Sequence, residues 1–176
     1  MLEKLKYPIE QPVIPKNILE KDIVNWIKTI ENFPTQLENI TVHLSEVQLN
    51  TTYRENGWTI RQVVHHCADS HLNSYIRFKW ALTEDQPIIK AYYEDKWAEL
   101  FDSKTAPIAL SINFLKALHA KWVYFLKGLT TEDLTKTFIH PESNKHIKLS
   151  ENIGIYAWHC NHHFAHINNL IISKKW

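Results

Sequence analysis

"YAWHCNHHFAHI" (residues 156–167) is the stretch on which the reading of this chain turns. Its histidines, His159, His162, His163 and His166, stand at i, i+3, i+4 and i+7, which places them along one side of an α-helix. From Asn152 to Ser173 there is no Asp, Glu, Lys or Arg, a length that could cross a bilayer. The same span carries four asparagines and four histidines, which hydrocarbon accepts only at high cost. It is expected to be a buried or site-forming helix, and no membrane association is expected.

Three further long helices are expected around it. The first runs from about Lys16 to Thr41, with Ile23, Trp26, Ile27 and Ile30 at helical spacing and a bend at Pro34. The second, Thr59 to Thr83, carries Ile60, Val64, Cys67, Tyr75, Phe78 and Leu82 on one stripe, and the third runs from Pro107 to Lys127. The fourth, Ser150 to Lys174, holds the histidine run. In "WTIRQV", Thr59 and Gln62 form a capping box, and Trp58 can staple onto Val63. Related boxes occur at Ser45–Gln48 and Thr130–Asp133. The segments around them, "LSEVQLNTTY" (44–53) and "LTTEDLTKTF" (129–138), match as a weak repeat, each leading to a helix that contains His-His. If the repeat is real, the two histidine helices face each other. The fold class that follows is all-α, a four-helix bundle. The long connection from Glu84 to Ala106 contains "YYEDKWAELF" and is expected to hold a short extra helix.

Bulk properties narrow the function classes. At 176 residues one domain spanning 1–176 is expected. The 20 basic and 19 acidic residues give a net charge of +1 with no basic block, which argues against nucleic acid or a membrane surface as partner. Two cysteines, Cys67 and Cys160, make no disulfide framework and no CxxC motif. "MLEKLKYPIEQP" lacks the apolar stretch of a signal peptide, so a cytoplasmic location is expected. Only three glycines occur, which favours helices over tight-turned sheets, and neither P-loop, GxGxxG nor GxSxG is present.

An H-x3-H pair on a helix can bring two imidazoles to one ion, with a third ligand supplied from elsewhere. Two such pairs overlap here. The stripe through Tyr156, His159, His163, Ile167 and Leu170 is apolar on both sides of its histidines, whereas His162, His166, Asn169 and Ser173 read as a solvated stripe. His159 and His163 are therefore the inward pair. The second helix offers His65 or His66, and periodicity favours His66 only mildly. Core histidines bonded to carbonyls are the alternative reading of all three. Asp69 could orient an imidazole. His65, Asn73, Arg77 and His162 could lie near the site or meet a substrate. His71 reads as a satisfied core histidine, Cys67 and Cys160 as small core residues, and the tryptophans as packing residues.

"GWTIRQVVHHCADSH…YIRFKWALTE" together with "YAWHCNHHFAHI" resembles the DinB/YfiT-like superfamily over nearly the whole chain. The resemblance implies a four-helix bundle with a metal on three histidines. One follows the tryptophan at the start of the second helix by eight residues, here His66 after Trp58, and the H-x3-H pair is His159 and His163. It also implies a homodimer. Imidazole ligands suit zinc, nickel, copper and iron alike; one divalent ion per chain is expected, zinc first and nickel next. Such an ion can lower the pKa of bound water to about 7 for hydrolysis. It can equally hold as thiolate a thiol whose ordinary pKa is about 8.5. Members of the superfamily are described as metal-dependent hydrolases or as transferases of a low-molecular-weight thiol of the bacillithiol type to electrophiles. Transfer is preferred, because no carboxylate stands beside the H-x3-H pair and no HExxH motif is present. A non-catalytic metal-binding stress protein is the reading from another class.

Overall fold

The computed structural model describes residues 2–176. Helix α1 is Leu2–Lys6, α2 is Glu20–Thr41, α3 is Glu46–Leu49 and α4 is Ile60–Thr83. Two short helices, α5 (Glu94–Ala98) and α6 (Phe101–Thr105), precede α7 (Ile108–Lys127). A 3₁₀ turn at Asp133–Thr135 and a hairpin of β1 (Thr137–His140) with β2 (Lys145–Lys148) lead into α8 (Leu149–Lys174).

The capping boxes form as expected. The Ser45 and Thr59 hydroxyls accept from the Gln48 and Gln62 N–H groups, and each glutamine side chain returns a bond to its cap's backbone. Thr130 and Asp133 make the same reciprocal pair before the 3₁₀ turn. The first long helix begins four residues later than expected. Leu19 is extended and its N–H donates to the Asp22 carboxylate at 2.9 Å, so that group does the capping. The extra helix of the long connection is two short ones, α5 and α6.

In the bundle, α2 packs on α7 and α8, and α4 packs on the same two. Helices that follow one another around the core are thus not α2 and α4, and the two histidine-bearing helices, α4 and α8, lie side by side. Their apolar stripes meet in one core that includes Ile30, Phe33, Leu37, Val64, Cys67, Phe78, Leu115, Trp122 and Ile153. Trp122 is fully buried, with Tyr156 at 5.7 Å, Phe78 at 5.9 Å and His71 at 6.1 Å between ring centroids. Trp122→Ala should cost about 3–5 kcal/mol through lost burial and the cavity left behind, measurable by urea denaturation.

The hairpin is a departure from the all-helical expectation. The scarcity of glycine was a poor guide here, because Asn144 supplies the left-handed turn conformation (φ 51°) between the strands. Phe138 anchors β1 in the core, and the Ile89 N–H donates to the Ile139 carbonyl at 3.1 Å, tying the α4–α5 connection to the hairpin. The N-terminal segment runs along α8. The Lys6 carbonyl meets His166, the Glu10 carbonyl accepts from Trp158 Nε1 at 3.1 Å, and Ile14 sits over Gly154. A Cβ on Gly154 would lie 2.8 Å from Ile14 Cδ1 and 3.0 Å from Trp26, so a larger residue there would push the end of the Ile14 side chain aside. No helix of the described residues is long and apolar enough to cross a membrane.

Candidate metal centre

Helix α4 enters the bundle beside α8, and their facing sides bring His66, His159 and His163 together. One ring nitrogen from each lies within 4.8 Å of the others. Nε2 of His66 and Nε2 of His159 approach to 3.2 Å, too close for two protonated nitrogens. The ring of His163 lies 4.8 Å from that of His66 and 4.4 Å from that of His159. His66 and His163 are buried and His159 is partly exposed, and all three line a cavity of about 460 Å³. No carboxylate or cysteine belongs to the cluster among the described residues.

The electrostatics follow from burial. Desolvation first, then the charges of neighbouring imidazoles, pushes His66 down to about 3 and holds His159 and His163 well below the usual histidine range. Three neutral imidazoles with converging lone pairs, no counter-charge and an open side are a donor set that fits a divalent cation.

The residues around the cluster are only partly those expected. Arg77 and His162 line the cavity, whereas His65, Asp69 and Asn73 do not. His65 points to the other side of α4, with Nδ1 2.7 Å from Ser111 Oγ and Nε2 3.1 Å from the Ala106 carbonyl. The Asn73 amide donates to the Asp69 carbonyl, and the Asp69 carboxyl is pushed up to about 6 by burial and by Asp102. A one-residue step around a helix is enough to separate His65 from His66 in this way. Arg61 is a buried packing residue. It bonds Asn50 at 3.1 Å and the Ala106 carbonyl at 2.7 Å, and pairs with Glu46.

The stripe read as solvated is not. His162 and His166 are buried, because the N-terminal segment and the loop before α4 cover α8. Tyr53 stacks on His166 at 4.0 Å, and Trp158 stacks on His162 at 4.3 Å. Trp58 packs against His66 at 4.6 Å and lines the cavity, so this tryptophan belongs to the site and not to general packing. Cys67 and Cys160 are buried, free, and raised above the usual thiol range by desolvation, so neither is a nucleophile at the centre.

Sequence reasoning missed the residues contributed from outside the four long helices. Lys6, Tyr53, Arg54, Tyr92 and His140 all reach the cavity. It also missed Ser70, whose Oγ lies 3.4 Å from His159 Nε2 and 3.3 Å from the Tyr156 hydroxyl. Ser70 stands one turn after His66, a spacing visible in the sequence.

This architecture recurs in known proteins. A solved structure entitled "YfiT from Bacillus subtilis is a probable metal-dependent hydrolase with an unusual four-helix bundle topology" superposes with a TM-score of 0.96 at 43% identity, covering 98% of this chain and 99% of that one. A Halalkalibacterium halodurans protein named "Putative metal-dependent hydrolase" is 46% identical over 170 residues, 97% of this chain and 98% of the relative. A Bacillus cereus protein of the same name is 51% identical over 175 residues, 99% of this chain and all of the relative. The family model for the DinB superfamily matches residues 29–167, which contain all three clustered histidines and most of the four long helices, and the chain belongs to that superfamily.

Proposed function

We propose that this chain is a metal-dependent enzyme whose divalent ion is held by His66, His159 and His163, and that it transfers a low-molecular-weight thiol to an electrophile. The observation that carries the reading is the cluster itself, three histidines with no fourth ligand in the same group among the described residues, lining an open cavity. A structural site would be closed by a fourth ligand. When bound, the ion supplies a charge that lowers the pKa of a thiol reaching it.

The chain's own residues suit the co-substrate. Lys6, Arg54 and Arg77 line the cavity beside Glu94, Asp95 and Glu142, and these three cations offer partners to the carboxylates of a thiol of the bacillithiol type. Trp58 and Tyr53, packed on His66 and His166, wall the floor with aromatic surface. Ser70 and Tyr156, hydrogen-bonded to each other at 3.3 Å, offer hydroxyls beside His159. In the transfer a carbon–sulfur bond forms at the electrophile, the leaving group departs with its electron pair, and the thiol proton passes to solvent.

Hydrolysis is the second reading, favoured by the names of the relatives. Within the cavity the acidic residues are Glu94, Asp95 and Glu142, none of them in the histidine cluster. Zinc is the ion proposed first and nickel next, both among the metals that imidazole ligands suit. A cytoplasmic homodimer completes the proposal, the dimer resting on the family resemblance.

The test is a zinc-loaded and a metal-free preparation, each given chlorobimane with a panel of low-molecular-weight thiols, beside a panel of ester and amide substrates. Thioether formation that depends on both metal and an anionic thiol is expected. Metal-dependent cleavage of the second panel without thiol would replace transfer by hydrolysis. Activity in neither, with metal bound, would favour the stress-protein reading.

A further inference from the structure

Eight histidines crowd the bundle, and the metal reading uses three. Three of the others, His71, His119 and His166, make two chains of contacts with a direction. Pro34 lies inside α2 and has no N–H to donate to the carbonyl of Ile30, four residues before it. His119 on α7 takes that carbonyl, with Nδ1 2.6 Å from the Ile30 oxygen. His119 Nε2 lies 2.7 Å from His71 Nδ1, and His71 Nε2 lies 3.0 Å from His159 Nδ1. The row crosses all four long helices, from α2 through α7 and α4 to α8. His71 and His119 are 0% and 2% exposed.

A carbonyl can only accept, and a neutral imidazole has one donor and one acceptor nitrogen. Both linking rings are buried with no carboxylate among their hydrogen-bond partners, so each is neutral. The Ile30 carbonyl therefore requires His119 to carry its proton on Nδ1. His119 Nε2 then accepts from His71 Nδ1–H, and His71 Nε2 accepts from His159 Nδ1–H. The proton of His159 is thereby held on the nitrogen facing away from the cluster, leaving the Nε2 lone pair toward His66.

The second chain is shorter. His166 Nε2 lies 3.1 Å from the Lys6 carbonyl, and His166 Nδ1 lies 3.4 Å from His163 Nδ1. The Lys6 carbonyl requires the proton on His166 Nε2, so His166 Nδ1 accepts from His163 Nδ1–H. Nε2 of His163 is again the free nitrogen.

We infer that His71 and His119 on one side, and His166 on the other, are positioning residues that fix the ligating tautomer of both α8 histidines, each chain ending on a main-chain carbonyl. The inference rests on the reading of His159 and His163 as metal ligands for its purpose, though the tautomers themselves exist without metal. Pro34 acquires a role in this arrangement, since it frees the carbonyl that sets the longer chain. The N-terminal segment acquires one too, since it brings the Lys6 carbonyl to the shorter.

The experiment is histidine side-chain NMR on the ¹⁵N-labelled, metal-free full chain, reading each ring's tautomer from its long-range ¹H–¹⁵N pattern. Nδ1–H is expected on His119, His71, His159 and His163, and Nε2–H on His166. Nε2–H on His71 or His159, or Nδ1–H on His166, would overturn the corresponding chain. His119→Phe removes the acceptor for His71 and is expected to release the tautomers of His71 and His159 and weaken zinc binding by about 10–100-fold in a competition titration. His119→Gln, whose amide can donate to Ile30 and accept from His71, is expected to restore both. Should His119→Phe not fold, the pair His166→Phe and His166→Gln reads the shorter chain, and the wild-type tautomers stand as a test by themselves. Expected tautomers in a protein that takes up no metal would defeat the metal reading alone. Wrong tautomers in a protein that binds one ion would defeat only this inference.

Discussion

His163→Ala is expected to abolish stoichiometric metal binding, whereas His65→Ala leaves it intact. The two residues look alike in sequence, each half or part of a histidine cluster on a long helix. In the fold His163 converges with His66 and His159, while both nitrogens of His65 are committed to Ser111 and Ala106. Removing one of three ligands leaves a two-histidine remnant, too few donors for a divalent ion that prefers four-coordinate sites. Metal content per chain by mass spectrometry decides it, using tag-free protein reconstituted with zinc and then desalted. About one ion per chain in the wild type and in His65→Ala, and none in His163→Ala, is the expected pattern. Equal metal in His163→Ala, or loss in His65→Ala, would move the site elsewhere.

Acid should unfold the metal-free protein well above the usual carboxylate range. His119 is held down to about 4 by burial, and His66 and His162 to about 3 and His166 to about 4. An unfolded histidine titrates near 6.5, so between about pH 6.5 and 4 the unfolded chain binds more protons than the folded one. The stability contributed by these neutral rings is complete above about pH 6.5 and is lost as the pH falls toward their folded values. At about 1.4 kcal/mol per pH unit, His119 alone accounts for roughly 3 kcal/mol. Asp69, raised to about 6, works in the opposite direction, but it is one group against several. Urea denaturation of the metal-free protein at pH 7 and pH 4.5 measures the difference, with a lower midpoint expected in acid. A midpoint that did not move would show that these rings are not neutral in the fold.

The two effects share one physical origin. Histidines packed where water cannot solvate a charge must stay neutral, and neutral histidines have lone pairs to offer a cation. A metal-loaded protein gains stability from the ion, and the metal-free one is exposed to acid.

Local rules carried far along this chain. The capping boxes at Ser45, Thr59 and Thr130 act within one helical turn, so they were legible in sequence and formed as read. The α4, α7 and α8 boundaries followed from apolar periodicity, and the inward pair His159/His163 followed from the residues four positions either side. The resemblance to a known superfamily then pointed to His66, where periodicity had left His65 open. These are short-range facts, set by 3.6 residues per turn and by which side of the rod is apolar.

What the sequence could not determine lay between elements. Whether His162 and His166 meet water depended on a segment more than 140 residues earlier folding back along α8, and periodicity within α8 cannot see it. His119 showed no pattern, because its partner is a carbonyl freed by Pro34, 85 residues away, and a backbone acceptor has no side-chain signature. The hairpin escaped because Asn144 took the conformation for which glycine is the usual sign. The sequence alone determined the four helices and the histidines able to converge. Only the tertiary structure decided which of them did and which carbonyls orient the rest, because hydrogen-bond direction in a dry interior is set by partners from other helices.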